Sequence, residues 1–177
     1  PLTLLSITST TEIAIIEMGA NHPGEIKILC ELARPDFGVI TNIGKAHLEG
    51  FGGFEGVIKT KTELYNHLRQ KDGLAFVNAD DPLLVEKSEG LKKFTYGQRS
   101  TADFTGNIRG NEPFVDLEIA INNEKIDIRS HLYGRYNFEN ILAAAAIGQF
   151  FMVDGQHIRS AIENYIPSNN RSQLMQT

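Results

Sequence analysis

The sequence predicts an α/β fold in which a mostly parallel sheet is flanked by helices. In the first half of the 177-residue chain, strand and helix patterns alternate in the order β-α-β-α-β, which gives a parallel sheet with right-handed crossovers. Between residues 93 and 132 the pattern changes to short runs of alternating apolar and polar residues, which predict a small antiparallel β section. An alanine-rich helical pattern follows.

The elements of the first half are predicted from hydrophobic periodicity. The continuous apolar run at 13–18 is typical of a parallel strand buried on both faces. The remaining predicted elements are a helix from about 24 to 33, a strand at 37–41, a helix from about 54 to 68 and a strand at 74–78.

The second half adds three strands and two helices. The strands are predicted near 104–108, 114–121 and 126–131, with a hairpin turn at Asn122 and Asn123, and the helices at 137–151 and 155–165, before Pro167. We interpret the chain as one partial domain, made of a parallel part (1–92), an antiparallel section (93–132), a helical part (133–166) and a linker (167–177). The apolar start and the polar end predict an excerpt of a larger polypeptide.

Composition excludes several classes of protein. The chain has 17 Lys and Arg against 22 Asp and Glu and no basic block, so nucleic acid is not an expected partner. The single cysteine, Cys30, excludes an internal disulfide and a cysteine-only zinc site. No apolar stretch approaches the ~20 residues that span a bilayer, and the N-terminus does not resemble a signal peptide. We expect a soluble, cytoplasmic protein without membrane insertion.

Glu17 follows the first apolar run and opens the segment EMGANHPGEI (17–26). Because ligands bind beyond the carboxyl ends of strands in open α/β sheets, this carboxylate is a candidate metal ligand. The alternative is a turn or helix-capping carboxylate beside Pro23 and Gly24.

His47 and Glu49 follow the next predicted strand, in the segment TNIGKAHLEG (41–50). They are therefore expected at the same edge of the sheet as Glu17. His47 is a candidate site residue, and the alternative is a loop histidine that bonds to the backbone. Glu49 is a second possible ligand, or a solvated side chain.

Lys61 is the strongest anomaly in the predicted helix 54–68. At helical spacing it lies on the same face as four apolar or aromatic residues, Val57, Leu64, Tyr65 and Leu68. Such a lysine either extends its amine to the surface or is buried with a partner or a lowered pKa. A neutral amine can also react with carbon dioxide to give a carbamate, which could help to hold a metal. The sequence leaves these alternatives open.

Two polar clusters suit a nucleotide. Asn78 and Asp80 follow the third strand, although Asp80 or Asp81 could instead cap a helix that begins near Pro82.

The second cluster opens the alanine-rich helix. Asn137 and Asn140 are three residues apart, so their amides share one face and could pair with the edge of a purine. The alternative for Asn137 is a simple N-cap. The sequence contains no G-x-x-x-x-G-K-[ST] phosphate loop, so an ATP enzyme would need that loop elsewhere.

Taken in order, five segments resemble the central ATPase domain of the Mur ligases. They are EMGANHPGEI (17–26), TNIG with HLE (41–49), KTELY (61–65), NADD (78–81) and NFEN (137–140). The resemblance covers essentially the whole chain. Segment 17–26 most resembles the branch of the family that adds D-alanyl-D-alanine to the UDP-MurNAc-tripeptide precursor of peptidoglycan.

The resemblance implies a role for each matching residue. Glu17 and His47 would bind Mg²⁺, and Lys61 would be a carbamylated lysine beside the metal, so that Lys61 and His47 are also the implied catalytic residues. The nucleotide, ATP, would be contacted by Asn137 and Asn140, with Asn78 and Asp80 nearby. Arg171 resembles a linker arginine that approaches the nucleotide. Its context, NNRSQ, departs from the family's usual Gly-Arg pair, and Tyr136 stands where many relatives have histidine.

The resemblance also implies the reaction, in which ATP phosphorylates a carboxylate and an amine then displaces phosphate. We expect the chain alone to be inactive, because its sequence lacks the phosphate loop, and we expect UDP-MurNAc-tripeptide and D-alanyl-D-alanine to be bound through further domains. The alternatives are a related folylpolyglutamate or cyanophycin-type ligase, or a non-catalytic binding or scaffold domain.

Overall fold

A six-stranded sheet runs through the described part of the chain, and its strands lie side by side in chain order. The structure is a computed structural model that describes residues 2–44, 48–110, 113–121 and 124–167. Its strands are β1 (Phe37–Val39), β2 (Leu74–Asn78), β3 (Lys92–Gly97), β4 (Phe104–Gly110), β5 (Phe114–Ile121) and β6 (Glu124–Tyr133).

Helices fill most of the connections between these strands. In chain order they are a short 3-10 helix (Leu2–Ser6), α1 (Glu25–Ala33), α2 (Leu48–Phe51), α3 (Phe54–Lys61), α4 (Glu63–Lys71), α5 (Pro82–Lys87), α6 (Tyr136–Phe150) and α7 (Gly155–Glu163). Among the described residues, no helix is long and apolar enough to cross a membrane.

The sheet combines parallel and antiparallel pairing. The Leu74 N–H at the start of β2 donates to the main-chain oxygen of Asp36, just before β1. The Ala79 N–H after β2 donates to the main-chain oxygen of Tyr96, near the end of β3. Strands β3 and β4 pair in parallel, whereas β5 pairs antiparallel with β4 and with β6. The predicted α/β fold with a mostly parallel sheet and an antiparallel section is confirmed.

The chain divides into two units, each with its own packing. The first comprises residues 1–75 and 90–92, and the second comprises residues 76–89 and 93–177. In the first unit, α1 packs against α3 and α4, and α4 packs against β1. A Cβ at Gly38 of β1 would lie 3.0 Å from side-chain atoms of both Leu64 and Leu68. Glycine in β1 therefore allows α4 to approach the strand closely.

In the second unit, α6 covers strands β4 and β5, and α7 packs on β6. The alanines of α6 allow a close approach to the sheet, because a small side chain adds little thickness. Phe76 and Phe94 on the strands and Phe150 at the end of α6 contact one another edge to face, and Phe151, just after the helix, contacts Phe150 in the same way. These aromatic contacts join the end of the helix to the sheet.

The predicted strand at 13–18 is wrong. These residues form no regular structure, and the side chains of Ile13 and Ile15 are 57% and 85% exposed. An extended apolar run becomes a strand only where a neighbour accepts its backbone hydrogen bonds, and none of the six strands of the described chain pairs with it. Glu17 consequently lies in an irregular segment and does not end a strand.

Two other predictions need adjustment. The helix predicted at 54–68 is divided at Thr62. The Thr62 hydroxyl donates to the main-chain oxygen of Ile58 at 2.8 Å and thus competes with the backbone hydrogen bonds of the helix. The section 93–132, predicted to be antiparallel, begins within β3, which was not predicted as a separate element and pairs in parallel with β4. The remaining predicted helices and strands lie within a few residues of their observed positions. The hairpin turn predicted at Asn122 and Asn123 lies outside the described residues.

Candidate functional site

The irregular segment 17–24, which we call the Glu17 loop, connects the exposed Glu17 carboxylate to the start of α1. Next to Glu17, the Met18 sulfur lies 3.9 Å from the Cys30 sulfur on α1. Cys30 is fully buried, and its burial raises the pKa of the thiol to about 11. Cys30 is therefore a packing residue, and it anchors the first part of the loop.

Carboxylates hold the second part of the Glu17 loop. Glu25 Oε2 accepts hydrogen bonds from the backbone N–H groups of Asn21 at 2.6 Å and His22 at 3.0 Å. These two bonds lower the pKa of Glu25, with smaller contributions from the His22 side chain. Glu63, at the start of α4, accepts from the backbone N–H groups of Gly24 and Lys27. The loop is thus fixed at its carboxyl end by two acidic side chains.

Helix α2 approaches the same loop from another side. A Cβ placed on Gly50 would lie 2.5 Å from the main-chain oxygen of Asn21, so only glycine permits this approach of α2 to the loop. Because α2 begins at Leu48, the helix that directly follows His47 in the chain rests against the segment that contains Glu17.

Lys61 is the last residue of α3, and its side chain is half-buried. Its amine donates to the main-chain oxygen of Asn42 at 2.7 Å and lies 3.4 Å from the side-chain oxygen of the same residue. Burial lowers the pKa of the Lys61 amine. Of the alternatives that the sequence left open, the structure shows a partly buried lysine with a partner and a lowered pKa.

Two predicted residues cannot be placed with the others. His47 and Arg171 lie outside the described residues, whereas Glu49 lies at the exposed second position of α2. Over the described ranges, no group of three or more His, Cys, Asp and Glu side chains is arranged to hold a metal ion. The metal roles of Glu17, His47 and Lys61 therefore stay predictions.

A separate cavity of about 170 Å³ lies in the second unit, at the carboxyl ends of β2 and β3 and the start of α6. Amide, charged, aromatic and apolar side chains line it: Asn78, Asp80, Tyr96, Gln98, Arg135, Phe138, Glu139 and Leu142. Five of the eight are polar or charged, and Tyr96, Phe138 and Leu142 add aromatic and apolar surface that a small molecule could contact. Two of the predicted nucleotide residues, Asn78 and Asp80, are among its lining residues.

Hydrogen bonds order the strand end that borders the cavity. Asn78 is buried, and its side-chain oxygen accepts from the Asp80 N–H at 2.9 Å. Asp80 in turn accepts from the Gln98 N–H at 2.6 Å and forms an ion pair with Arg99 at 3.3 Å. Asp81, and not Asp80, caps the next helix, because its side chain accepts from the N–H groups of Leu83 and Leu84. The two aspartates thus have different roles.

The asparagine pair at the start of α6 shares one face, as predicted. Asn137 is buried, and its side-chain N–H donates to the main-chain oxygen of Tyr133 at 2.8 Å. Its side-chain oxygen accepts from the Asn140 side chain at 3.3 Å. Asn140 is exposed, so it presents the outer amide of the pair. Asn137 is not the N-cap of α6, because that position is Arg135.

Sequence reasoning missed six of the cavity's eight lining residues, namely Tyr96, Gln98, Arg135, Phe138, Glu139 and Leu142. Tyr96 and Gln98 lie on or just after β3, the strand that was not predicted, and Arg135 and Glu139 lie in a segment whose predicted nucleotide contacts were Asn137 and Asn140. Burial raises the pKa of the Tyr96 hydroxyl, and the nearby carboxylates of Glu139 and Asp81 raise it further. The motif GRYNFEN (134–140) was the signal that could have found Arg135 and Glu139.

Comparison with known proteins gives one consistent family. A model described as the Mur ligase middle domain matches residues 1–148. Similar proteins include two enzymes named UDP-N-acetylmuramoyl-tripeptide--D-alanyl-D-alanine ligase. The one from Escherichia coli (strain K12) is 36% identical over 169 residues, which cover 93% of this chain and 37% of the relative. The one from Bacillus subtilis (strain 168) is 32% identical over 178 residues, which cover 100% of this chain and 38% of the relative.

Solved structures agree with these relatives. MurF from Acinetobacter baumannii superposes with a TM-score of 0.85 and 26% identity, over 98% of this chain and 39% of that one. The MurF ligase from Thermotoga maritima in complex with ADP gives a TM-score of 0.77 and 25% identity, over 96% of this chain and 40% of that one. The chain therefore spans well under half the length of the relatives that it matches.

Proposed function

Because the chain belongs to the Mur ligase family, whose middle domain it matches over residues 1–148, we propose that it forms part of an ATP-dependent ligase of peptidoglycan precursor synthesis. The proposed reaction joins D-alanyl-D-alanine to UDP-MurNAc-tripeptide. Two relatives that bear this enzyme's name, 36% and 32% identical over at least 93% of the chain, are the observation that carries the choice of substrates. A reaction that consumes ATP and a UDP-linked precursor is expected in the bacterial cytoplasm.

The proposed reaction has two chemical steps. The terminal carboxylate of the tripeptide attacks the γ-phosphorus of ATP, which gives an acyl phosphate and ADP. The amine of the dipeptide then attacks the acyl carbon, phosphate leaves, and the amine loses a proton as the amide forms. Activation is needed because a carboxylate oxygen is a poor leaving group.

The second unit offers a site for the nucleotide. Tyr96, Phe138 and Leu142 are among the lining residues of its cavity and could contact the base, and the neighbouring Asn140 amide can both donate to and accept from a purine edge. The side-chain oxygen of Asn137 accepts a hydrogen bond from this amide and so holds it in place. Asn78 and Asp80 would shape the adjoining rim, and Arg171, outside the described residues, would approach the nucleotide from the linker.

The donor chemistry of the first unit fits a magnesium ion. Glu17 is an exposed carboxylate, and Lys61 has the lowered pKa that favours a neutral amine able to form a carbamate. Glu17, His47 and a carbamylated Lys61 would hold the ion, and Mg²⁺ would supply charge neutralisation for the transferred phosphoryl group. In this proposal Asn42 keeps the Lys61 side chain in place through its main-chain oxygen.

The test uses the natural protein that contains this chain. With Mg²⁺, ATP and UDP-MurNAc-tripeptide, we expect D-alanyl-D-alanine to be ligated, with one ADP released per product, measured by mass spectrometry and a coupled ADP assay. Glutamate supplied in competition distinguishes the folylpolyglutamate and cyanophycin-type alternatives, and their products would refute the substrate assignment. Failure to bind Mg-ATP at all would favour a non-catalytic scaffold.

Variants of two neighbouring lysines sharpen the test. Lys61→Arg keeps a positive charge but cannot form a lysine carbamate, so we expect ligation to fall by more than about 100-fold, because a ligand of the ion that neutralises the transferred phosphoryl group is lost. Lys59→Arg, on an exposed position of the same helix, is the matched control and should leave the rate unchanged. We also propose that residues 1–177 alone are inactive, and turnover by that segment would contradict this.

A further inference from the structure

The Glu17 loop is tied to a distant helix by one side chain. Glu63 lies 39 residues after Gly24, yet its Oε1 accepts from the Gly24 N–H at 3.1 Å, and its Oε2 accepts from the Lys27 N–H at 2.8 Å. Both oxygens are thus used on backbone groups at the start of α1, where N–H groups have no helical partner. The negative charge also complements the positive end of the helix dipole.

A local residue could have supplied such a cap, but the chain has none at this position. The N-cap of α1 is Gly24, which has no side chain and adopts a left-handed conformation with φ of 86°. Glu25, the first residue of α1, is engaged by Asn21 and His22 instead. The cap is therefore supplied by α4, which makes the position of the loop depend on the position of that helix.

The same short stretch of chain contacts the segment after β1. Lys61 ends α3, Thr62 separates the two helices, and Glu63 begins α4. The amine of Lys61 binds the main-chain oxygen of Asn42, while the carboxylate of Glu63 binds the Gly24 N–H. One three-residue junction thus contacts both the segment after β1 and the Glu17 loop.

We propose that Glu63 is a positioning residue that holds the Glu17 loop against the α3–α4 junction, so that the Glu17 carboxylate and the Lys61 amine keep a constant separation. This inference rests on the proposed function, in which both side chains hold the metal. Glu63 touches neither metal nor substrate in this role and acts only through the backbone of the loop. This role also assigns a function to the residues that follow Glu17 in segment 17–26, because Gly24 among them bonds to Glu63.

The first readout is amide exchange in the natural protein that contains this chain. In Glu63→Ala, hydrogen exchange at the Gly24 and Lys27 amides should be about tenfold faster, because two charge-assisted hydrogen bonds are lost. Glu63→Gln keeps one carbonyl oxygen as an acceptor and should give an intermediate rate. Glu55→Ala, an exposed glutamate in the first turn of α3, is the matched control and should behave like the wild type.

The second readout is metal binding, measured by electron paramagnetic resonance with Mn²⁺ as the probe and Glu17→Ala as the reference for loss of the site. We expect Glu63→Ala to weaken Mn²⁺ binding by about tenfold, with partial rescue in Glu63→Gln, because orienting residues around metal ligands have effects of this size.

The outcomes separate the two proposals. Faster exchange with unchanged Mn²⁺ affinity would make Glu63 a helix cap only and would overturn the inference, as would unchanged exchange. If the variants behave as expected but the wild type ligates nothing, the positioning role stands and the proposed reaction fails. A wild type without Mn²⁺ binding would overturn the positioning role.

Discussion

The amine of Lys61 lies 2.7 Å from the main-chain oxygen of Asn42, and this contact joins the end of α3 to the segment that follows β1. A main-chain oxygen accepts a hydrogen bond from a neutral amine as well as from an ammonium group, and no carboxylate partner at Lys61 is among the contacts of the described residues. No ion pair therefore offsets the effect of burial, which lowers the pKa of the Lys61 amine.

The first prediction concerns the pH dependence of Lys61. Because the pKa of the folded state lies below that of the unfolded state, the unfolded chain binds more protons between these two values. The contribution of Lys61 to the free energy of unfolding should thus be unfavourable at neutral pH and should improve as pH rises through the folded pKa. Competitive labelling with acetic anhydride, read by mass spectrometry, should give Lys61 a lower midpoint than the exposed Lys59. Equal midpoints would contradict the prediction.

The second prediction concerns the corner between α2 and α3. A Cβ at Gly56 would overlap the main-chain oxygen of Phe51 and lie 2.8 Å from its carbonyl carbon. Because backbone atoms cannot rotate away as a side chain can, Gly56→Ala should lower the free energy of unfolding by about 2 kcal/mol or more. Urea denaturation measures the change. Gly110→Ala is the control, because its nearest neighbour would be 3.9 Å away, and a similar loss in both variants would refute the explanation.

The third prediction concerns the cap of α5. Asp81 accepts from the N–H groups of Leu83 at 2.9 Å and Leu84 at 3.2 Å. Asp81→Ala should cost about 1 kcal/mol of local stability, seen as roughly fivefold faster amide exchange at Leu84. Asp81→Asn should retain most of the protection, because an asparagine oxygen also caps. Glu86→Ala, on the exposed side of the same helix, should have little effect, and a comparable effect there would argue against a capping role.

The fourth prediction concerns the asparagine pair of α6. Asn140→Ala should weaken ADP binding by about fivefold, the value of one hydrogen bond, without loss of stability, because Asn140 is exposed. Asn137→Ala should weaken binding and also destabilise the helix, because the buried amide supports Tyr133 and Asn140. Calorimetric titration with ADP and thermal unfolding distinguish the two effects. Asn107→Ala, on an exposed position of β4, is the control, and unchanged ADP affinity in Asn140→Ala would remove Asn140 from the nucleotide site.

Local pattern accounts for the elements that were predicted well. Helices α6 and α7 and strand β5 have clear periodicity and end at turn-forming residues, so their positions follow from neighbouring residues alone. Lys61 was singled out from its place on a predicted apolar face, although the helix that would carry this face is divided at Thr62. By contrast, β3 begins with two lysines and shows no clean alternation, so it could be found only from its pairing with β4.

The run at 13–18 shows that an apolar pattern alone does not determine whether a strand forms. Its apolar residues are those of a buried strand, but strand formation requires hydrogen bonds to a neighbour, and the described chain pairs no strand with it. The cavity beside β3 was incompletely predicted for a similar reason, because it combines residues from two strand ends and a helix start that lie far apart in the chain.

By itself, the sequence determined the α/β class, most helices and strands, and the family, because hydrophobic periodicity and the order of motifs are specified by the residue types along the chain. Only the tertiary structure decided that Lys61 binds Asn42, that Asp80 and Asp81 differ in role, and that Glu63 caps α1 from 39 residues away. Such contacts depend on the packing of distant segments, because a hydrogen bond needs its donor and acceptor within about 3 Å, and sequence spacing does not specify that distance.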